Sequence, residues 1–258
     1  MHSKITYYDK EYKINYPQGV DEAIIRSIEK GKIWERHMVK KYPQFIKSGD
    51  TVLDIGGYLG TTVLPFSNLV GNEGRVIVYE PQPTIFNHLS DTLTLNEIRN
   101  VELKQSAIYS ENKEIYFIEN NTGKAGIRGY RKMSQKSKLI KVHAETIDSL
   151  SLKKLDFIKI DVEGSEWEVL KGGVFTIKKL KPTIHLETFS KKKKNIEQIK
   201  KFCIDFNYEI VYNKNSDYIL SYIKPTSKKK ETIEKIKKFI DFNYQIVYNK
   251  ILSYSIAR

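Results

Sequence analysis

The 258-residue sequence predicts an α/β fold: a doubly wound, mostly parallel sheet that ends in an antiparallel hairpin. Three observations predict it. Short apolar segments alternate with stretches of helical periodicity, which marks strand–helix–strand units. A glycine-rich turn follows the first of these segments and opens a helix. Near the C-terminus, EIVYNKNSDYILSYI (209–223) runs strand, turn, strand with no helix between, which reads as a hairpin.

The elements follow in order. Residues 1–20 are tyrosine-rich and read as irregular. From Asp21 to Lys47 apolar residues recur at helical spacing (Ile24, Ile25, Ile28, Ile33, Trp34, Met38), interrupted at Gly31. Asp21 caps the first of these helices. Residues 1–48 are therefore expected as an N-terminal helical segment packed on the core. TVLDIG (51–56) is a buried strand, RVIVYE (75–80) a second, and VELKQSAI (101–108) a third. LDFIKID (155–161) is a fourth and TIHLE (183–187) a fifth, with shorter candidates near 114–118 and 138–142. Helices are expected at about 60–70, 83–96 and 165–180. Together with the hairpin, residues 49–224 make the expected doubly wound domain.

The C-terminus holds a duplication. IEQIKKFCIDFNYEIVYNK (196–214) recurs as IEKIKKFIDFNYQIVYNK (233–250), with 16 of 18 aligned positions identical and Cys203 deleted. The second copy lacks the turn residues NSDY, so it cannot make the same hairpin. Copy one is expected to complete the sheet, and 225–258 to be an appended partial duplicate of 195–223.

Composition excludes some classes. No stretch approaches the roughly 18 consecutive apolar residues of a membrane helix. The polar start MHSKITYYDK lacks the apolar core of a signal peptide. The lone cysteine, Cys203, leaves no internal disulfide, and a cytoplasmic location is expected. The net charge of +13 invites a nucleic-acid partner, but +9 of it falls after residue 190. That distribution disfavours nucleic acid at the strand ends, where ligands of doubly wound sheets bind. The sequence leaves the oligomeric state open.

Those strand ends carry the chemistry. Asp54-Ile55-Gly56-Gly57-Tyr58-Leu59-Gly60 closes the first strand in the pattern D-x-G-x-x-x-G. A dinucleotide fingerprint needs G-x-G-x-x-G, and Tyr58 occupies its second glycine position. A methionine-derived cofactor has no pyrophosphate and needs no such turn. Gly56 and Gly57 let the backbone turn and approach a ligand. Gly60 allows tight helix packing, and Thr61 follows it into the helix. Asp54 suits a cationic amino-acid moiety, directly or through water. Glu80 ends the second strand, 26 residues after Asp54, where a carboxylate accepts hydrogen bonds from both ribose hydroxyls. Pro81 then stops the strand. At the end of the third strand, Ser106 and Ala107 lie by position near an adenine; packing against a neighbouring helix is an equal reading.

The string Ile158-Lys159-Ile160-Asp161-Val162-Glu163-Gly164-Ser165-Glu166, followed by Val169-Leu170-Lys171-Gly172-Gly173, resembles the signature of FkbM-family methyltransferases. GDTVLDIGGYLG, VIVYEPQPTIFNHL, ETIDSL and KPTIHLE resemble the family's other motifs in order, over about residues 30–220. The departure is Tyr58, where the family often has Asn. The resemblance implies a Rossmann-like, seven-stranded sheet of the class I methyltransferase type. It also implies methyl transfer from S-adenosylmethionine, usually to a hydroxyl oxygen of a sugar, polyketide or other small acceptor.

Methyl transfer to an alcohol needs alignment and a base. Candidates stand at the ends of the fourth and fifth strands: Asp161, Glu163, His185 and Glu187. Asp161 also reads as a contact to the cofactor. Structural readings stand beside these: Asp161 caps the helix near Ser165, Glu163 satisfies loop N–H groups, and His185 is a hydrogen-bonded core residue. The same carboxylates offer a place to a divalent metal, which the sequence does not predict. His37 and His143 read as structural. The basic, glycine-rich stretch 120–138, with Arg128 and Arg131, reads as a lid over the acceptor or a plain loop. Two other functions stay open: an RNA ribose 2′-O-methyltransferase, and a non-catalytic module that keeps the fold.

Overall fold

The computed structural model of the chain describes residues 1–18, 23–119, 138–188 and 193–224. Asp21, Arg128, Arg131 and the second repeat copy lie outside the described residues.

The N-terminus is not irregular. Strands β1 (His2–Tyr7) and β2 (Lys10–Asn15) pair antiparallel, from His2 opposite Asn15 to Tyr7 opposite Lys10. Alternation buries Ile5 and Tyr7 on one strand and Tyr12 and Ile14 on the other. The connecting residues Tyr8 and Asp9 both take positive φ (48° and 68°), as a tight hairpin turn demands. Neither is glycine, so the usual hairpin signal is missing from the sequence. Helices α1 (Ala23–Glu29) and α2 (Arg36–Val39) follow, with a 3₁₀ turn at Tyr42–Gln44.

The doubly wound part begins with β3 (Thr51–Ile55), α3 (Val63–Val70), β4 (Arg75–Tyr79), α4 (Pro83–Leu95) and β5 (Val101–Lys104). The expected single strand at 101–108 is broken. After β5 the chain bends, Ser106 Oγ donates to the His143 carbonyl (2.8 Å), and β6 (Ala107–Ile108) leaves for a second sheet. There β6 lies parallel to β8 (Lys138–Glu145), which pairs antiparallel with β7 (Lys113–Glu119). The chain returns through β9 (Phe157–Ile160), α5 (Glu166–Lys171), α6 (Val174–Leu180), β10 (Thr183–Glu187) and α7 (Lys193–Phe206). The last described elements form the expected hairpin, β11 (Tyr208–Lys214) and β12 (Asp217–Tyr222).

The main sheet has the order β11-β12-β10-β9-β3-β4-β5. From β10 to β5 the strands are parallel; β12 is antiparallel to β10. From β3 the chain moves outward through β4 and β5, then returns to β9 on the other side. The topological switch therefore lies between β3 and β9, and the crevice beyond their carboxyl ends is where such sheets bind ligands. One face of the sheet is covered by α3, α4, α1 and the N-terminal hairpin, through residues such as Phe66, Leu89, Ile28 and Tyr12. The other face is covered by α5, α6 and α7, through Val169, Ile177 and Phe202.

The expected helix at 165–180 is two helices, and Gly172 explains the break. A Cβ on Gly172 would lie 2.1 Å from the Tyr109 carbonyl oxygen, so the chain of the second sheet passes in contact with bare backbone. Gly172→Ala must push these apart. It is expected to lower stability by about 2 kcal/mol, read as a lower denaturant midpoint at unchanged slope.

Candidate functional site

The site rests on a buried polar row. Asp54, Lys159 and His185 occupy the middle of β3, β9 and β10, and they are register partners: Asp54 opposite Lys159, Lys159 opposite His185. All three are buried, at 0%, 2% and 0% exposure. Because strand side chains alternate, they share the sheet face that carries Val52 and Phe157. Lys159 Nζ donates to Asp161 Oδ2 (3.0 Å) and lies 3.9 Å from Asp54 Oδ1. Burial opposes the charge on Lys159, but Asp161 and Asp54 outweigh it and hold the ammonium charged. Asp54 Oδ2 accepts from Thr62 Oγ1 (2.8 Å), while Oδ1 is buried without a hydrogen bond. Burial lifts the Asp54 carboxyl to about 6, with Lys159 and Thr62 acting against the rise.

His185 sits below the site, not in it. Its Nδ1 meets the Tyr42 hydroxyl (3.2 Å) and its Nε2 meets Asp217 Oδ1 (3.0 Å). Burial, more than any other cause, raises the Tyr42 hydroxyl and lowers His185, so the neutral ring accepts from Tyr42 and donates to Asp217. The second oxygen of Asp217 meets His37 Nε2 (2.9 Å). The chain Tyr42–His185–Asp217–His37 fastens the N-terminal segment to β10 and β12. His143 is a half-exposed strand residue 3.6 Å from Glu114.

Directly above the row, at the strand ends, lies a cavity of about 330 Å³. Of the residues singled out from sequence, Gly56, Gly57, Tyr58, Thr61, Glu80, Pro81, Ser106, Ala107, Asp161, Glu163 and Glu187 line it. Asp54, Gly60 and His185 do not. Asp54 is one layer down, behind Thr62, which does line the cavity. Gly60 (φ 92°) packs on α4, where a Cβ would come within 2.9 Å of Leu89. Gly56 (φ 96°) is required by the protein itself: its Cβ would lie 2.0 Å from the Asp161 carbonyl oxygen. Its smallness brings the ends of β3 and β9 together and leaves the cavity between their loops.

Glu80 is held at both oxygens: Oε2 accepts from the Tyr58 N–H (3.0 Å) and Oε1 from the Gln82 N–H (2.9 Å). Each carboxylate oxygen retains a further lone pair for a ribose hydroxyl. Burial raises its carboxyl to about 7 despite those two N–H groups. The loop after β9 is braced by Glu166, which accepts from the Gly164 N–H (2.7 Å). Glu187 ends β10 with Oε2 buried and without a hydrogen bond. Burial, then Asp161 and Glu35, lift its proton affinity far above the carboxylate range.

Several site residues escaped sequence reading. Lys159 had a signal: a lysine inside an otherwise apolar strand. Trp34 and Glu35 had none, yet with Ala23 and Ile24 they close the cavity from the N-terminal side. Glu35 (φ 46°), Tyr58 (φ 45°) and Glu163 (φ 53°) hold left-handed backbone at about 1–2 kcal/mol each. Such conformations persist where the surroundings enforce them, typically at functional sites.

The residues fit S-adenosylmethionine. Glu80 suits the ribose, the apolar Ile55, Tyr79, Ala107 and Ile108 suit the adenine, and the carboxylates suit a sulfonium cation. Among the described residues, no group of three or more His, Cys, Asp and Glu is arranged to hold a metal ion. The raised Glu80 carboxyl carries a stability consequence. The folded state keeps its proton to higher pH than the unfolded state does, so stability falls as pH rises from 4.5 to about 7. Glu80→Gln is expected to flatten that part of a pH–stability profile measured by denaturant unfolding.

The methyltransferase FkbM domain model matches residues 54–224. A methyltransferase FkbM from Methylobacillus flagellatus KT is similar in structure, with a TM-score of 0.50 at 14% identity, over 80% of this chain and 56% of that one. The chain thus spans little more than half the length of that relative. Aeropyrum pernix fibrillarin, solved with natively bound S-adenosyl-L-methionine, gives 0.45 at 15% identity, over 85% and 81%. A SAM-dependent methyltransferase from Aquifex aeolicus gives 0.43 at 16%, over 74% and 91%. No curated protein sequence matches significantly. At these identities the structural likeness bears on the fold alone, and the domain match, two thirds of the sequence, bears on ancestry: the chain belongs to the methyltransferase FkbM domain family, whose cofactor, S-adenosylmethionine, its cavity fits.

Proposed function

We propose that this chain transfers the methyl group of S-adenosylmethionine to a hydroxyl oxygen of a sugar, glycan or other small acceptor. The observation that carries the reading is the pair of carboxylates, Asp161 and Glu187, at the ends of adjacent strands and facing one cavity. The bound cofactor supplies a methyl group already activated on a sulfonium. The protein then has to position an acceptor oxygen in line with it and take one proton. Asp161 is held by the Lys159 ammonium, which fixes its direction. Glu187 has high proton affinity, and a carboxylate with a raised pKa is the stronger base toward an alcohol.

The cavity's charge supports a small acceptor over RNA. Among the described residues, Glu35, Glu80, Asp161, Glu163 and Glu187 line it, against one cation, Lys159, which Asp161 already engages. Such a lining works against a phosphate backbone, whose binding rests on lysine and arginine. Among the described residues no helix is long and apolar enough to cross a membrane.

Calorimetric titration with S-adenosylmethionine and S-adenosylhomocysteine tests the cofactor site. Micromolar binding is expected, weakened about tenfold or more by Glu80→Ala. No binding of either ligand by the folded chain would overturn the proposal. Mass spectrometry of a panel of sugars and small alcohols then tests the acceptor, with methyl incorporation expected at oxygen and lost in Glu187→Gln.

A further inference from the structure

Glu35 belongs to the N-terminal segment, outside the residues that match the family domain, yet it lines the cavity with Glu187. It precedes α2 as its capping residue, but its side chain makes no cap hydrogen bond; only its carbonyl receives the Met38 and Val39 N–H groups. The left-handed backbone is thus kept while the carboxyl turns to the cavity. Glu187 lines the same cavity from the end of β10, with one oxygen buried and without a hydrogen bond.

The groups that face this pair can be counted from each element around it. Among the described residues, Glu80 stands at the end of β4, Lys159 on β9, Asp161 and Glu163 on the loop after β9, Asp217 on β12 and His37 on α2; Asp54 and His185 lie in the layer beneath. Among the described residues Lys159 is the one lysine facing the pair, and its hydrogen bond goes to Asp161. Two further carboxylates in a cavity of this size cannot both stay ionised without another cation. Burial is the first cause that raises both of them, and their mutual charge adds to the rise at Glu187.

We propose that the Glu35–Glu187 pair shares a proton in the empty site, and that the sulfonium of the incoming cofactor displaces it and so arms the pair as the base. This rests on the methyltransferase reading above. The charge balance closes. With cofactor bound, the sulfonium offsets one of the two negative charges of the ionised pair. As the acceptor oxygen bonds to the methyl carbon, the carbon–sulfur electron pair returns to sulfur and the acceptor proton passes to the pair. The sulfonium becomes a neutral thioether, losing one positive charge, while the pair gains one proton and goes from two negative charges to one. The charge of the cavity is the same before and after, which in a low-dielectric site avoids a large electrostatic cost. A pair armed only by the sulfonium holds its proton whenever the product thioether occupies the site.

The test is proton counting by calorimetry on the full chain, near neutral pH, in phosphate and in Tris, whose ionisation heats differ. S-adenosylmethionine is expected to release about one proton more than S-adenosylhomocysteine, which differs by the methyl group and its sulfonium charge. Glu187→Gln is expected to abolish that excess, and Glu35→Gln, farther from the sheet, to abolish or halve it. Equal release by the two ligands, or an excess unchanged in both variants, would overturn the proposal and leave the methyltransferase reading standing. Failure of either ligand to bind would overturn both.

Discussion

The ammonium of Lys159 is the constraint around which the site is arranged. It lies in the middle of a parallel sheet, where an unpaired charge would be very costly, and it is tolerable only because Asp161 and Asp54 stand on either side. Such pairing adds little net stability over an apolar core, but it penalises errors strongly. A one-residue slip of β9 would turn Lys159 to the opposite face, onto the apolar layer of α5, α6 and α7. The charge therefore fixes the register of β3, β9 and β10 together. That register brings Gly56, Asp161 and Glu187 level at the strand ends. The cavity is a consequence of the row beneath it.

Much of this was legible in the sequence, for physical reasons. Buried parallel strands are short apolar runs, and their ends are marked by Gly56, Glu80-Pro81 and Asp161. The failures also have causes. The N-terminal hairpin turns on Tyr8 and Asp9 at positive φ, where no glycine announces it. The break after Lys104 is made by one hydroxyl, Ser106, bonding to a distant strand. The glycine at 172 makes room for Tyr109, a passage between distant segments that the local sequence does not announce. Glu35 was illegible because nothing local distinguishes it from a solvent-facing helix residue. One pattern went unread: LDI, IKI and IHL each carry one polar residue inside a buried strand, and those residues are neighbours in space.

The N-terminal segment completes the cavity from outside the matched domain. The matched region begins at Asp54, inside β3, and supplies the sheet and the floor of the cavity. The wall comes from Ala23, Ile24, Trp34 and Glu35. Tyr42 and His37 bind that wall to β10 and β12 through His185 and Asp217. Burial acts against the charge on Asp217, yet the two histidines outweigh it and lower the carboxyl, so it remains ionised between them. Residues that look remote from catalysis thus set the distance between Glu35 and Glu187.

Asp217 also marks a difference between the two repeat copies. Their 18 aligned positions scarcely tell them apart. What separates them is the deletion of NSDY, which leaves Ile251 directly after Lys250 where copy one has Asn215, Ser216 and Asp217. An intruding second copy would bring no carboxylate to His185 or His37 and would leave a buried imidazole N–H without an acceptor. The same residue that fastens the wall of the cavity thus tells copy one from its duplicate by chemistry, where the aligned sequence barely does.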